Sequence, residues 1–211
     1  DYHLAPVGGG SFKNPKNNKI INYSSRNFID KIFRRKKLSK IYDIISVIRP
    51  VYSKNLRHLF TAANKLFNKK IYYSFLVIFP MDSDKEFYNS KKKNFFYINL
   101  INDYNYYIKK KYRKYFTLLP IHSFDHEYSL SKEQMCNFYN LSKISILPSS
   151  IEGGNRAIHE ALLCGCPVMY YKYVVGGVAD YMNKSHSVSY ASEKDLPNKI
   201  IFAMKNYKKF K

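Results

Sequence analysis

Two short segments place cations and carboxylates where a sheet could present them to a ligand. Arg49-Pro-Val-Tyr-Ser-Lys54 follows an apolar run ending at Ile48 and precedes a helical pattern that begins near Asn55. A lysine at a helix N-terminus opposes the helix dipole, so Lys54 is unfavourable there unless an anion lies between its ammonium and the exposed backbone N–H groups. A phosphate resolves that conflict, with Arg49 supplying a two-pronged contact and Lys54 a point charge. Two solvated surface cations are the competing reading of the hexapeptide.

The second segment is Pro148-Ser-Ser-Ile-Glu152-Gly153-Gly154-Asn155, between the apolar run ISIL and the next helical pattern. Gly153 and Gly154 permit close backbone approach to a ligand, and Asn155 suits a helix N-cap. Glu160 follows Glu152 by eight residues, on a helix that stops at Gly165 before Pro167. Eight helical steps rise about 12 Å and turn about 80°, so the two carboxylates could hold opposite ends of one extended ligand. Each accepts two hydrogen bonds, which suits vicinal hydroxyls of a ribose or hexose. Ala157, Ile158, Ala161 and Leu162 form the apolar side of the helix and leave Glu160 near its edge; simple solvent exposure is the alternative. A further Gly-Gly pair, Gly176 and Gly177, follows the PVMYY run, where its N–H groups could turn toward an anion or simply form a tight turn.

The elements that must position these residues alternate along the chain. Apolar runs at 42–48, 71–79, 116–121, 144–147, 167–171 and 187–190 are separated by amphipathic stretches at 55–67, 104–114, 131–141 and 156–164, with a closing helix from about Glu193. FFYINL at 95–100 reads as an additional strand. Consecutive apolar positions suit strands covered on both faces, and alternation of strand with helix predicts an α/β fold with a doubly wound, mostly parallel, Rossmann-like sheet. Ligands of such sheets bind beyond the carboxyl ends of the strands, which is where the three segments fall. Residues 1–41, rich in Gly, Asn, Pro, Ser and Lys, read as a linker or the remnant of a preceding domain, and 42–211 as the folded domain.

The composition sets the outer limits. The chain has 211 residues and a net charge of +21, with 45% apolar residues, which excludes a disulfide mini-protein, a collagen-like repeat and an acidic disordered tail. The charge suits a polyanion, although the abundance of Lys, Asn, Ile, Tyr and Phe without Trp also matches an AT-rich coding sequence. Cys136, Cys164 and Cys166 have no paired spacing and read as buried thiols of a reducing compartment. No run reaches the length of a membrane span, the best being Tyr72 to Met81 with its internal Pro80, and the N-terminus lacks a signal core, so a cytoplasmic location is expected.

In order and spacing, these segments resemble the carboxyl-terminal half of the group 1 (family 4) glycosyltransferases with the GT-B fold. The resemblance is densest over 140–181, NLSKISILPSSIEGGNRAIHEALLCGCPVMYYKYVVGGVADY: a strand ending in Pro-Ser, a Glu-Gly loop, a second Glu eight residues on, then Glu-Ala, Gly-x-Pro-Val and Gly-Gly. Arg49 and Lys54 match the upstream Arg and Lys of the family at the same spacing of five. The resemblance implies a retaining, hexosyl-type transferase that moves a sugar from a nucleoside diphosphate sugar to a glycan or lipid-linked acceptor, with no obligatory metal or other cofactor. Arg49 and Lys54 would hold the diphosphate, Glu160 the ribose, and Glu152 the donor sugar. The backbone of Gly153, Gly154 and Asn155, together with Gly176 and Gly177, would line the sugar and phosphate. Leu119 to His122 lie where the family seats the base. The family's amino-terminal acceptor domain is expected in the same or another chain, and a cell-envelope glycan is the expected product.

Several features depart from that pattern. The family's glycine-rich turn after its second strand is replaced by Pro80-Met81-Asp82-Ser83-Asp84, and polar residues around Asn183 to Ser187 stand where a glycine is usual. Asp82-Ser83-Asp84 also has the form of a metal-binding DxD, but reads more simply as a helix cap; His122 and His126 lack a third ligand. A basic nucleic-acid-binding module using Tyr104 to Tyr115, and a non-catalytic nucleotide-sugar-binding subunit, are the rival readings, and no nucleic-acid partner is expected. Clusters at Arg34 to Lys37 and Lys109 to Lys114 could rest on an anionic membrane surface.

Overall fold

The computed structural model describes residues 10–13, 20–23, 31–82, 91–124, 127–128, 130–153, 155–178 and 182–210. Its centre is one sheet in which β3 (Tyr42–Val47), β4 (Phe75–Asp82), β5 (Phe116–Phe124), β7 (Ser142–Leu147), β8 (Val168–Tyr171) and β9 (Ser187–Tyr190) run parallel. Their order across the sheet is β5-β4-β3-β7-β8-β9, with the two-residue β6 (Glu127–Tyr128) antiparallel on the β5 edge. Strand order therefore reverses between β3 and β7. β1 (Gly10–Lys13) and β2 (Ile20–Tyr23) form a separate antiparallel pair.

Ile44, Ile45, Ile144, Ile146, Phe75 and Val77 are almost wholly buried, as strands covered on both faces require. Ser46 is the fully buried polar residue of the central strand, and its hydroxyl donates to the Ile146 carbonyl at 2.9 Å, so the buried oxygen is not left unpaired. Pro80 and Pro120 lie in strands, but Pro80 falls beyond the β3 pairing, which ends at Ile78, and Pro120 precedes the β6 pairing, which begins at Ser123. Neither interrupts a ladder on that side.

Helix α1 (Leu56–Asn68) turns Leu59, Phe60, Ala63, Leu66 and Phe67 to the core. It packs against α2 (Lys91–Tyr107) and α5 (Leu196–Asn206), while α3 (Lys132–Asn140) and α4 (Arg156–Leu163) pack together as a second group. Helix α3 starts with a capping box, in which the Ser131 hydroxyl accepts from the Gln134 N–H and the Gln134 side chain accepts from the Ser131 N–H. Helix α5 starts at Leu196, three residues after the expected Glu193, with Pro197 in its first turn.

The expectation of a strand at FFYINL is corrected: residues 95–100 belong to α2. β4 and β5 are parallel neighbours, so the chain between them must cross back over the sheet, and a helix makes that crossing. The helix expected at 104–114 is split, ending at Tyr107 and followed by a tight 3-10 turn, Lys110–Tyr115. Tyr104, Tyr107, Tyr112 and Tyr115 pack against the core from this segment, whereas Tyr106 is 81% exposed. Four of these five tyrosines therefore give part of their ring surface to the core rather than presenting it whole to solvent.

Residues ahead of β3 are docked rather than trailing. Phe33 is buried edge-on against Tyr139 with centroids 6.4 Å apart, and Asn140 of α3 bonds the backbone of Arg34 and Lys36 at 2.9 and 2.6 Å. Cys136, Cys164 and Cys166 are free and buried beneath this segment's contacts with α3 and the end of α4. Among the described residues no helix is long and apolar enough to cross a membrane.

Candidate active site at the carboxyl rim of the sheet

Because β3 and β7 are adjacent and parallel, the loops that leave them emerge side by side at the point where strand order reverses. This crevice is where open α/β sheets hold ligands. The first loop runs from Ile48 through a single 3-10 turn, Tyr52–Lys54, to Asn55, whose left-handed backbone (φ 47°) redirects the chain into α1. Asn tolerates that conformation better than most side chains, and here its amide also donates to the Pro148 carbonyl at 3.1 Å. Ser150 reciprocates, its N–H and hydroxyl both donating to the Ser53 carbonyl at 2.8 and 3.0 Å. Three hydrogen bonds thus fix the spacing of the two loops.

Within that frame Lys54 meets Glu152. The ammonium lies 2.5 Å from Glu152 Oε1 and 3.3 Å from the Ile151 carbonyl. Glu152 Oε1 also accepts from the Ser149 hydroxyl at 2.7 Å and the Asn155 amide at 3.0 Å. The carboxylate is only 7% exposed, so its charge is compensated by one cation and two neutral donors converging on one oxygen. No described group pairs with Oε2. The anion that relieves Lys54 of the helix-dipole conflict is therefore the protein's own carboxylate in this structure. Asn155 occupies the N-cap position of α4 as expected, but its side chain makes no capping bond and serves Glu152 instead.

A third loop locks the second from outside. Glu152 N–H donates to the Val175 carbonyl and Val175 N–H to the Ser150 carbonyl, at 2.9 and 2.8 Å. Gly176 has φ +117°, and a Cβ there would sit 2.0 Å from the Glu152 carbonyl oxygen. Only glycine fits, because both the backbone conformation and the contact forbid a side chain. Gly176 is thus a positioning residue for the Glu152 loop, which the tight-turn reading of Gly-Gly left undistinguished from anion binding. Gly177 is buried beside it and Gly153 is exposed, while Gly154 lies outside the described residues.

Arg49 is exposed at the start of the same crevice, and no described carboxylate pairs with it. Glu160 lies further along α4, half-buried, where the hydroxyl of buried Tyr139 donates to Oε2 at 3.4 Å. Burial pushes its carboxyl above the ordinary value, with Arg156, one turn earlier, and the Tyr139 bond pulling back. No hydrogen bond or ion pair joins Glu160 to Lys54 or Glu152. The structure therefore brings Lys54, Glu152 and Asn155 into contact, sets Arg49 free on the same loop, and gives Glu160 a separate partner. Sequence reasoning missed Ser149, Asn55 and Ser150; Ser149 stands in the Pro-Ser pair that ends the strand, but nothing in its spacing announces a bond to Glu152.

A cavity of about 430 Å³ opens between this loop and α2, bounded by Pro50, Tyr52, Asn55, Phe96 and Asp103. Leu119 to His122 lie within β5, which runs on to Phe124 rather than ending there. Ser83, Asp84 and His126 lie outside the described residues, among which no group of three His, Cys, Asp or Glu could hold a metal ion.

Against known proteins, the chain matches the family profile described as glycosyl transferases group 1 over residues 27–211. It belongs to that family. Among solved structures it superposes on TarM of S. aureus with a TM-score of 0.58 at 17% identity, covering 86% of this chain and 32% of TarM. Sucrose-phosphate synthase from Thermosynechococcus elongatus gives 0.59 at 18% identity, covering 85% of this chain and 42% of the synthase. The C-terminal domain of a group 1 glycosyl transferase, LpcC, from Francisella tularensis gives 0.57 at 15% identity and is covered over 90% of its length, with 86% of this chain. The chain thus spans less than half of the longer enzymes and nearly all of an isolated C-terminal domain, and its fold is that of a GT-B glycosyltransferase domain. A search of curated protein sequences finds no significant match.

Proposed function

We propose that this chain is the donor-binding domain of a retaining glycosyltransferase, which takes a nucleoside diphosphate sugar at the β3/β7 crevice and passes the sugar to a glycan or lipid-linked acceptor. The observation that carries this reading is the meeting of Lys54 with Glu152 at the strand-order reversal, in a chain of the group 1 family. One of the neighbouring folds, TarM, is described in complex with UDP and α-GlcNAc-glycerol, which fits that class of donor and acceptor.

In this reading the C1–O bond to the diphosphate breaks with its electron pair leaving on the phosphate oxygen, while an acceptor hydroxyl forms the new C1–O bond on the same face and passes its proton to that departing phosphate oxygen. Charge grows on the diphosphate as the bond lengthens, and Arg49 and Lys54 lower the barrier by standing beside it. Each such contact, if worth about 3 kcal/mol in the transition state, changes the rate on the order of a hundredfold. No metal is needed for that neutralisation. Glu152 orients the sugar through Oε2, which no described group engages, Glu160 binds the ribose hydroxyls, and the backbone of Gly153 to Asn155 and of Gly176 and Gly177 closes around sugar and phosphate. The acceptor site would be contributed by a further domain.

The test is a thermal-shift screen of the chain against UDP-, GDP-, ADP- and CMP-linked sugars. A concentration-dependent rise in melting temperature with one base, reduced by Lys54→Ala, supports the reading; no response to any of the four overturns it.

A further inference from the structure

The opposite rim of the sheet carries a second concentration of charge. A basin of about 660 Å³ is lined there by Arg35, Lys36, Lys37, Lys40, Lys143 and Lys208, with Leu38, Cys164, Gly165, Tyr207 and Phe210 between them and no carboxylate among the described lining residues. Lys40 precedes β3, Lys143 is the second residue of β7 and Gly165 precedes β8, so the basin lies where the parallel strands begin. A six-residue strand such as β3, at about 3.3 Å per residue, puts it roughly 20 Å from the crevice of Lys54 and Glu152.

Two of the six cations are neutralised, Lys36 by Glu133 at 3.5 Å and Lys143 by Asp43 at 2.6 Å. The others are not. Lys40 Nζ donates to the neutral Asn140 carbonyl at 2.7 Å, and Arg35, Lys37 and Lys208 have no acidic partner among the described residues. Lys40 is held in place rather than free in solvent, and burial, with the Arg35 charge adding to it, lowers its pKa. Arg35 is seated as well: Gly165, in the left-handed conformation at φ +69° after α4, leaves the space for its side chain, since a Cβ there would lie 3.0 Å from Arg35 Cδ. A concave wall of one sign with part of its charge fixed concentrates anions more strongly than scattered surface lysines do.

We infer that this basin is a second anion site, separate from the crevice of Lys54 and Glu152, that binds a phosphate-dense group: the di- or triphosphate of a soluble ligand or the phosphomonoester headgroup of a lipid. Arg35 offers the planar fork that grips two phosphate oxygens, and Lys37, Lys40 and Lys208 supply point charges around it. The inference stands independently of the donor reading.

The experiment titrates the chain with inorganic tripolyphosphate by calorimetry, with every variant made on Arg49→Ala/Lys54→Ala so that the carboxyl-rim cations do not contribute. Lys37→Glu/Lys208→Glu, both exposed, is compared with Lys109→Glu/Lys110→Glu, an exposed pair outside the basin with the same change in charge. The basin pair should weaken binding at least about tenfold and the control pair less than about twofold. Equal weakening by both pairs, or no binding by the parent, overturns the inference. Sedimentation with phosphatidylcholine vesicles containing phosphatidate separates the sources. Loss of vesicle binding in the basin pair alone identifies a lipid headgroup, and unchanged vesicle binding with lost tripolyphosphate binding identifies a soluble phosphate.

Discussion

Lys54 and Glu152, 98 residues apart in sequence, form an ion pair 2.5 Å long, half-buried at the lysine and buried at the glutamate, across the loops of two adjacent parallel strands. Removing one partner leaves the other charge buried among neutral groups, whereas removing both does not. Lys54→Met should therefore destabilise the fold by about 3 kcal/mol, and Lys54→Met/Glu152→Gln should recover much of that loss. Urea unfolding of the two single variants and the double variant measures the coupling; additive losses would show that the pair is not energetically joined.

Gly176 presses on the same loop. Gly176→Ala must relieve both a positive φ and a contact of 2.0 Å with the Glu152 carbonyl, and should cost on the order of 2–4 kcal/mol. The effect is local, so hydrogen exchange at the Glu152 and Val175 amides should accelerate before that of the β4 amides does. Uniform acceleration would mean that the glycine supports the whole sheet rather than this loop.

Glu160 provides a pH signature. Burial holds its carboxyl above its ordinary value of 4.5, so the folded chain keeps this proton to a higher pH than the unfolded chain does. Its contribution to stability is largest below pH 4.5 and is lost as pH rises toward the raised folded value. Ribose hydroxyls donate to the ionised form, so in the proposed function nucleotide affinity falls as pH drops through that raised value. Glu160→Gln should weaken nucleotide binding by about 1.5–3 kcal/mol and flatten its pH dependence, by calorimetry across the acidic range. A profile that Glu160→Gln leaves unchanged would remove Glu160 from the ribose site.

The three thiols should be chemically silent in the folded state. Cys136 and Cys164 sulfurs lie 3.7 Å apart and all three cysteines are buried, with burial pushing Cys166 up to about 12. Alkylation at neutral pH should proceed no faster than global opening of the fold, and stoichiometric labelling of the native chain within minutes would contradict the packing.

Much of this was legible in the sequence, and the exceptions have physical causes. Runs such as ISIL announce doubly covered strands, and Lys54 and Glu152 stand out because each follows such a run, and the carboxyl ends of parallel strands share one rim. FFYINL reads wrongly as a strand, since an apolar run of that length fits a strand or a buried helical turn equally, and only the adjacency of β4 and β5 decides for a helix. Asn155 was legible as a cap position but not as a bond to Glu152, because side-chain direction there depends on the fold of the whole loop. The basic cluster around Arg34 to Lys37 looked like part of a linker; Phe33, which docks the segment, is a single apolar residue with no periodic partner to signal it.

The central claim is that the crevice of Lys54 and Glu152 holds the diphosphate of a sugar donor. It is tested most directly by calorimetric titration of the parent chain and Lys54→Ala with a nucleoside diphosphate and with the matching nucleoside. The account predicts that Lys54→Ala weakens the diphosphate by at least about tenfold and leaves the nucleoside within about twofold. Equal weakening of the two ligands, or of neither, would contradict it.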